Sequence, residues 1–524
     1  MAISPVVSEL LDIFEQKKSN LIEDNKYNVS RTISILAVLY EKARNAVEFR
    51  AEHLVRRASI ERILKRRILL NGGSQTIAEN LVIELLWAKY IDSSLIDDEK
   101  VKTIQEIVTK YLSIKQSSFS GRGSVHGISW DMVMGYASTE IEELLVSPKK
   151  REALNHFFYQ VIRPKVIMPN EDERYINLQA YVAVERAFAQ SDNATLGFHV
   201  LKIIQPEWLG GSAHENPELL ATFLQNVKII DGHLTDTRNE AIYRFVRKQT
   251  PPMLLLRDFL FEEGIHAKTL LDNEVEFEQK LSQICARRYQ EIGAKVKRSV
   301  VRSFIYIFLT KMVFAFALEA PFDVFISKKI AYIPLAINML FPPVLLYIVA
   351  GFINVPGGEN TKRLIGRVRK IIYDFDGLKN ETDVYVVKPP VRRPFLTAIF
   401  SIIYIVTFLL VFGLISFFLT RLHFNIASQI IFVFFITLVT FFAYRIRQGA
   451  KEYDIGDRQG FLGPFVDFLF LPILRVGHLL SREIARLNVL IFFFDFILEA
   501  PLKVIFEVFE EWIRFIRTKK EEIV

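Results

Sequence analysis

The sequence predicts an all-α protein: a helical cytosolic domain followed by a multi-pass α-helical membrane domain. Three observations predict it. Apolar residues before about residue 292 recur at helical spacing, in amphipathic stripes. After residue 300, several runs are long enough, apolar enough and charge-free enough to cross a bilayer. Strand signals are sparse throughout. Hydrophobic residues are 51% of the chain while charged residues are still 24%. That mixture excludes a disordered chain, a collagen-like chain and a small disulfide scaffold. It fits a soluble part joined to a membrane part.

The first subdomain covers residues 1–114. Residues 8–21 carry Leu10, Leu11, Phe14 and Leu21 at helical spacing. A long helix is expected over 30–70. Ile33, Leu36, Tyr40, Ala43, Val47 and Leu54 give it a heptad-like seam, interrupted at Arg50 and suited to a helical hairpin or coiled coil. Asn71-Gly72-Gly73 ends it, because glycine accepts the left-handed conformation of a helix C-terminus. Further helices are expected over 74–91 and 98–114. Residues 115–127, KQSSFSGRGSVHG, read as a flexible Ser/Gly loop.

The second subdomain covers 128–292. Helix is expected over 129–162, with breaks at Pro164 and 169–172, then over 176–189, 217–230 and 237–247. Gly210-Gly211-Ser212 and Pro251-Pro252 separate some of these. A last helix runs from Asn273 through Cys285 to Lys297 and on into the membrane domain.

No chemistry stands out in this half. There is no phosphate loop and no H-E-x-x-H among the nine histidines, and one cysteine excludes a Cys-rich zinc site. Cys285 reads as a buried, idle thiol. No catalytic, cofactor or metal residue is therefore assigned, and an enzyme is not expected. One stretch is distinctive. Arg56, Arg57, Arg62, Lys65, Arg66 and Arg67 crowd about three helical turns, with Glu52 and Glu61 between them. They read either as a solvated face with pairs such as Glu61 to Lys65, or as a contact for anionic lipid headgroups or another polyanion. No aromatic interleaving supports base stacking, so nucleic acid is not expected.

The membrane domain, 293–460, is expected to hold two transmembrane hairpins. Charge-free spans cover 331–355, 395–419 and 426–444, and 303–320 is a weaker one carrying Lys311 and Glu319. Pro342-Pro343 should kink the 331–355 span or break it into two half-helices. Residues 461–524 then supply two shorter apolar segments, 461–476 with Asp467 and 487–500 with Asp495 and Glu499. They span, re-enter or lie on the bilayer. Residues 314–321 and 494–501 share Leu-Glu-Ala-Pro, which places Glu319 and Glu499 alike. From Leu502 the chain reads as an amphipathic helix with Trp512 on its apolar face.

Basic residues cluster before the first span, after Val355 and after Tyr444. With two hairpins, all three groups fall on the cytosolic side. The expected location is a bacterial inner membrane, with both termini cytosolic. The expected partners are membrane lipids and another protein held by the cytosolic domain. A membrane scaffold or assembly protein is the leading function. A transporter or channel using kinked helices and intramembrane charge is the alternative, and a lipid-modifying enzyme ranks below both.

Overall fold

The computed structural model describes residues 4–15, 34–41, 52–71, 76–119, 124–209, 216–317, 321, 332–379, 384–387, 393–456 and 463–486, apart from 36, 39, 126, 316, 352 and 354. It also describes residues 505, 508, 509, 512, 515 and 516. These are almost entirely helical, and the all-α class is shown. The chain divides into two compact units. The first comprises 1–250, 371–387 and 489–524; the second comprises 251–370 and 388–488.

In the first unit, α1 (Pro5–Glu15), α2 (Glu52–Asn71), α3 (Ile77–Trp87), α4 (Asp98–Ser118), α5 (Trp130–Leu145) and α6 (Lys149–Ile162) come in order. After them come α7 (Glu173–Val184), α8 (Asn193–Ile204) and α9 (Pro217–Leu234). Asp97, Ser129, Asp192 and Asn216 each accept a backbone N–H from the first turn of the helix they precede. These side chains satisfy donors that a helix start leaves open. Helix α4 continues past the expected end at Ile114. Of the expected flexible loop 115–127, residues 120–123 and 126 lie outside the described residues; Ser124–Val125 form β1, which pairs antiparallel with β2 (Ile128–Ser129). Gly127 takes φ +87° at its turn, where a Cβ would be strained.

The core of this unit is continuous across α2, α3, α4, α5, α8 and α9. Trp208 stacks on Phe223 with ring centroids 4.3 Å apart, and its Nε1 donates to Tyr111 Oη at 3.2 Å. Gly197 lets α8 approach the Tyr136 ring of α5 where any side chain would collide. A short parallel pair, β3 (Val166–Ile167) with β4 (Tyr385–Val386), returns a distant segment to the unit.

Helix α10 (Asn239–Glu263) continues through Pro251 and Pro252, where a break is expected. The two prolines are buried apolar rings. Arg247 and Lys248, whose carbonyls lose their amide partners, are exposed, so water can take those acceptors.

The second unit contains α11 (Ala267–Asp272) and α12 (Glu274–Phe314), followed by α13 (Tyr332–Gly351) and α14 (Gly358–Tyr373). Next come the short α15 (Phe375–Lys379, in the first unit), α16 (Pro394–Arg421), α17 (Ile426–Ala450) and α18 (Gly463–Arg486). Among the described residues, three helices are long and apolar enough to cross a membrane: Ile333–Gly351, Pro394–Arg421 and Ile426–Ala450. Helix α12 is one uninterrupted run of 41 residues, and its last turns contain the described part of the fourth expected span. Ile307, Leu346, Phe435, Val439 and Ala443 pack α12, α13 and α17 together.

A polar knot holds the ends of these helices. Asn360 donates Nδ2 to Tyr289 Oη at 2.9 Å and to the Tyr453 carbonyl at 2.6 Å, while Ile455 N–H donates to Asn360 Oδ1 at 3.0 Å. Asp258 accepts from Arg288 at 2.7 Å and from the Tyr453 hydroxyl. These bonds tie Asp258, Arg288 and Tyr289 to Asn360 and Tyr453 within the second unit.

Candidate functional site

The six cations of α2 have their own carboxylates. Arg56 donates to Glu142 through Nε at 3.1 Å and Nη2 at 2.9 Å. Arg57 reaches Asp192 at 2.5 Å, Glu61 at 2.8 Å and Ser138 Oγ at 3.0 Å. Arg62 pairs with Glu41 at 2.8 Å, and Lys65 with Glu61 and Asp131, both at 2.7 Å. Arg66 and Arg67 converge on Glu84, which is fully buried. Arg56 and Arg57 are only 7% and 6% exposed. The stretch is thus neither a solvated face nor an open basic patch. Glu61 and Glu52 lie one helical turn from the cations they meet, Glu52 at 3.4 Å from Arg56. The others come from remote segments, and sequence spacing does not reveal them.

A second cluster adjoins the first and was not singled out in the sequence. Glu185 opens a π-helical turn (Glu185–Ala189) after α7. Its carboxylate accepts from Asn155 Nδ2 at 2.8 Å, Ser191 Oγ at 2.6 Å, Tyr181 Oη at 3.2 Å and His199 Nδ1 at 3.2 Å. The other ring nitrogen of His199 meets Glu143 at 2.5 Å. Lys202, one turn along α8, sits 2.8 Å from both Glu143 and Glu152.

The electrostatics follow from this enclosure. Burial alone would lower the His199 pKa, but Glu185 and Glu143 outweigh it and raise it to about 9. Burial would raise Glu185, but the His199 imidazolium and the hydrogen bonds hold it at about 2. Glu143, Glu152 and His199 present ligand atoms within 4.8 Å of one another, the trio here best placed to hold a metal ion. As arranged, both imidazole nitrogens face carboxylates and Lys202 bridges the two glutamates. A metal would have to displace two resident positive charges. The cluster, three carboxylates around two cations, is a hydrogen-bonded brace joining α5, α6, the π turn and α8.

In the second unit, Lys311 is fully buried, with Nζ 4.6 Å from the Phe435 ring centroid. Asn338 is also fully buried and donates Nδ2 to the Ser428 carbonyl at 3.3 Å. Pro342 and Pro343 lie buried inside α13, which is assigned helical across both, so it is not broken into half-helices there. There α13 packs against both α12 and α17. Asp467 lies in the first turns of α18, and its side chain is outside the described residues, as are Glu319, Asp495 and Glu499 and most of the Leu-Glu-Ala-Pro match. Cys285 is buried, and burial raises its thiol pKa to about 11, so it is protonated at neutral pH. No family model matches this chain, and no curated protein or solved structure does either.

Proposed function

We propose that this chain is an integral membrane scaffold or assembly protein whose helical domain faces the cytosol and binds another protein. One observation carries the reading. Ile505, Val508, Phe509, Trp512, Phe515 and Ile516 are helical and all 42% exposed or more, at spacings that put them on one helical face. An amphipathic helix of that kind, with a central aromatic pair, suits a groove on a partner protein. Residues 1–250 support it as a rigid platform, because their buried charges are braced across helices. A photo-crosslinker at position 512 in the full-length membrane-embedded protein tests it. One protein adduct of defined mass is expected, and its loss in a Phe509→Glu variant. Adducts to lipid alone would overturn the reading.

A transporter or channel is the second reading, favoured by Lys311 and Asn338 inside the apolar bundle. Intramembrane polar groups often mark substrate pathways. Ion flux in proteoliposomes that Lys311→Met abolishes would support it. The proposed orientation puts His423 outside. In a Cys285→Ser background, a cysteine at 423 should be labelled in intact cells.

A further inference from the structure

Cations in the second unit divide into two sets. Lys280 pairs with Glu262 and Glu263, Arg288 with Asp258 and Glu291, and Arg369 with Glu274 and Glu278. Beyond Glu291 the chain has no acidic residue before Glu319. Lys295, Arg298 and Arg302 on α12, Lys362 on α14, and Arg445 and Arg447 on α17 are all exposed, and none forms an ion pair among the described residues.

The polar knot brings these six to one end of the bundle. Tyr289, Asn360 and Tyr453 are bonded together. Arg298 lies roughly 13 Å along α12 from Tyr289, and Arg447 lies in the last turns of α17 before Tyr453. Immediately beyond Arg302, α12 exposes Phe304, Ile305, Leu309 and Val313, at 37%, 51%, 55% and 63%. An occupant must therefore offer anions along this end of the bundle and hydrocarbon directly beside them. A soluble polyanion supplies only the first.

We propose that these six cations bind the headgroups of an anionic phospholipid leaflet, whose acyl chains cover the apolar face of α12. The α2 arginines play no part in this, since carboxylates of the protein already hold them. The inference rests on α13, α16 and α17 being membrane spans, not on the scaffold role. If they are not spans, the full-length protein will leave the membrane fraction, which is a separate and earlier failure.

The test uses the full-length protein in nanodiscs made from an equal mixture of phosphatidylcholine and phosphatidylglycerol. Native mass spectrometry then reads the lipids that stay bound when the disc is stripped. Phosphatidylglycerol should be enriched over phosphatidylcholine, and the enrichment should fall with salt. Lys295→Gln, Arg298→Gln and Arg302→Gln should each lower it about fivefold, and the triple variant should abolish it. Lys295→Arg with Arg298→Lys and Arg302→Lys should retain it, which separates charge from misfolding. Lys89→Gln, Lys102→Gln and Lys228→Gln together, at exposed sites of the first unit, should leave it unchanged. Undiminished enrichment in the triple Gln variant would overturn the proposal. So would equal competition by inorganic polyphosphate in detergent at matched charge, which would point to a soluble polyanion instead.

Discussion

Glu185 Oε1 lies 3.2 Å from His199 Nδ1, and both side chains are closed to solvent. The pair is the hinge pin of the charged brace. Removing one partner leaves the other ionised in a dry interior. Glu185→Gln should therefore destabilise the protein by about 3–5 kcal/mol, read by thermal unfolding of the full-length protein in detergent.

The same pair sets an alkaline limit. The His199 pKa rises from 6.5 to about 9 on folding, so its contribution is complete below 6.5 and is lost as pH climbs through 9. His53 acts in the opposite sense. Burial, with Arg151 and Arg56 nearby, lowers it to about 4, so stability is lost as pH falls from 6.5 towards 4. Melting temperature should peak near pH 6.5. His199→Gln should flatten the alkaline limb; an unchanged alkaline slope would show that another group controls it.

Glu84 holds both Arg66 and Arg67 from a fully buried position. Glu84→Gln should cost about 3–5 kcal/mol by leaving two guanidinium groups short of a counter-charge. Arg66→Gln and Arg67→Gln should each lower the melting temperature and leave the bound-lipid ratio of the protein as it was. Loss of phosphatidylglycerol from either variant would assign α2 to the membrane surface after all.

Lys311 fills space as well as carrying charge. Lys311→Ala empties a fully buried site beside the Phe435 ring and should cost about 2–5 kcal/mol. Lys311→Met keeps the volume of the stem and should cost less. Unfolding of the two variants in detergent separates packing from charge: equal losses would mean that the ammonium, not the stem, matters at this position.

The sequence by itself determined the helical class, the three apolar spans and the continuity of α12 from Asn273 towards the membrane. These are local properties: period, run length and caps act within a few turns of chain. It misread Pro251-Pro252 as a break and left Pro342-Pro343 open between a kink and a break, because whether a helix survives either pair depends on what packs against the ring and on what meets the freed carbonyls. It passed over α8, where Gly197 and His199 interrupt the apolar stripe. That helix is held instead by the Asp192 cap and by its close approach to Tyr136. It also took the α2 cations for surface. Three carboxylates, at Glu140, Glu142 and Glu143, crowd four residues of α5 around Ile141 and were a signal that cations had to be near. Which cations they were, only the tertiary structure decided, because a buried charge is matched by distance in space. Arg56 and Glu142 are 86 residues apart in the chain and 2.9 Å apart in the fold.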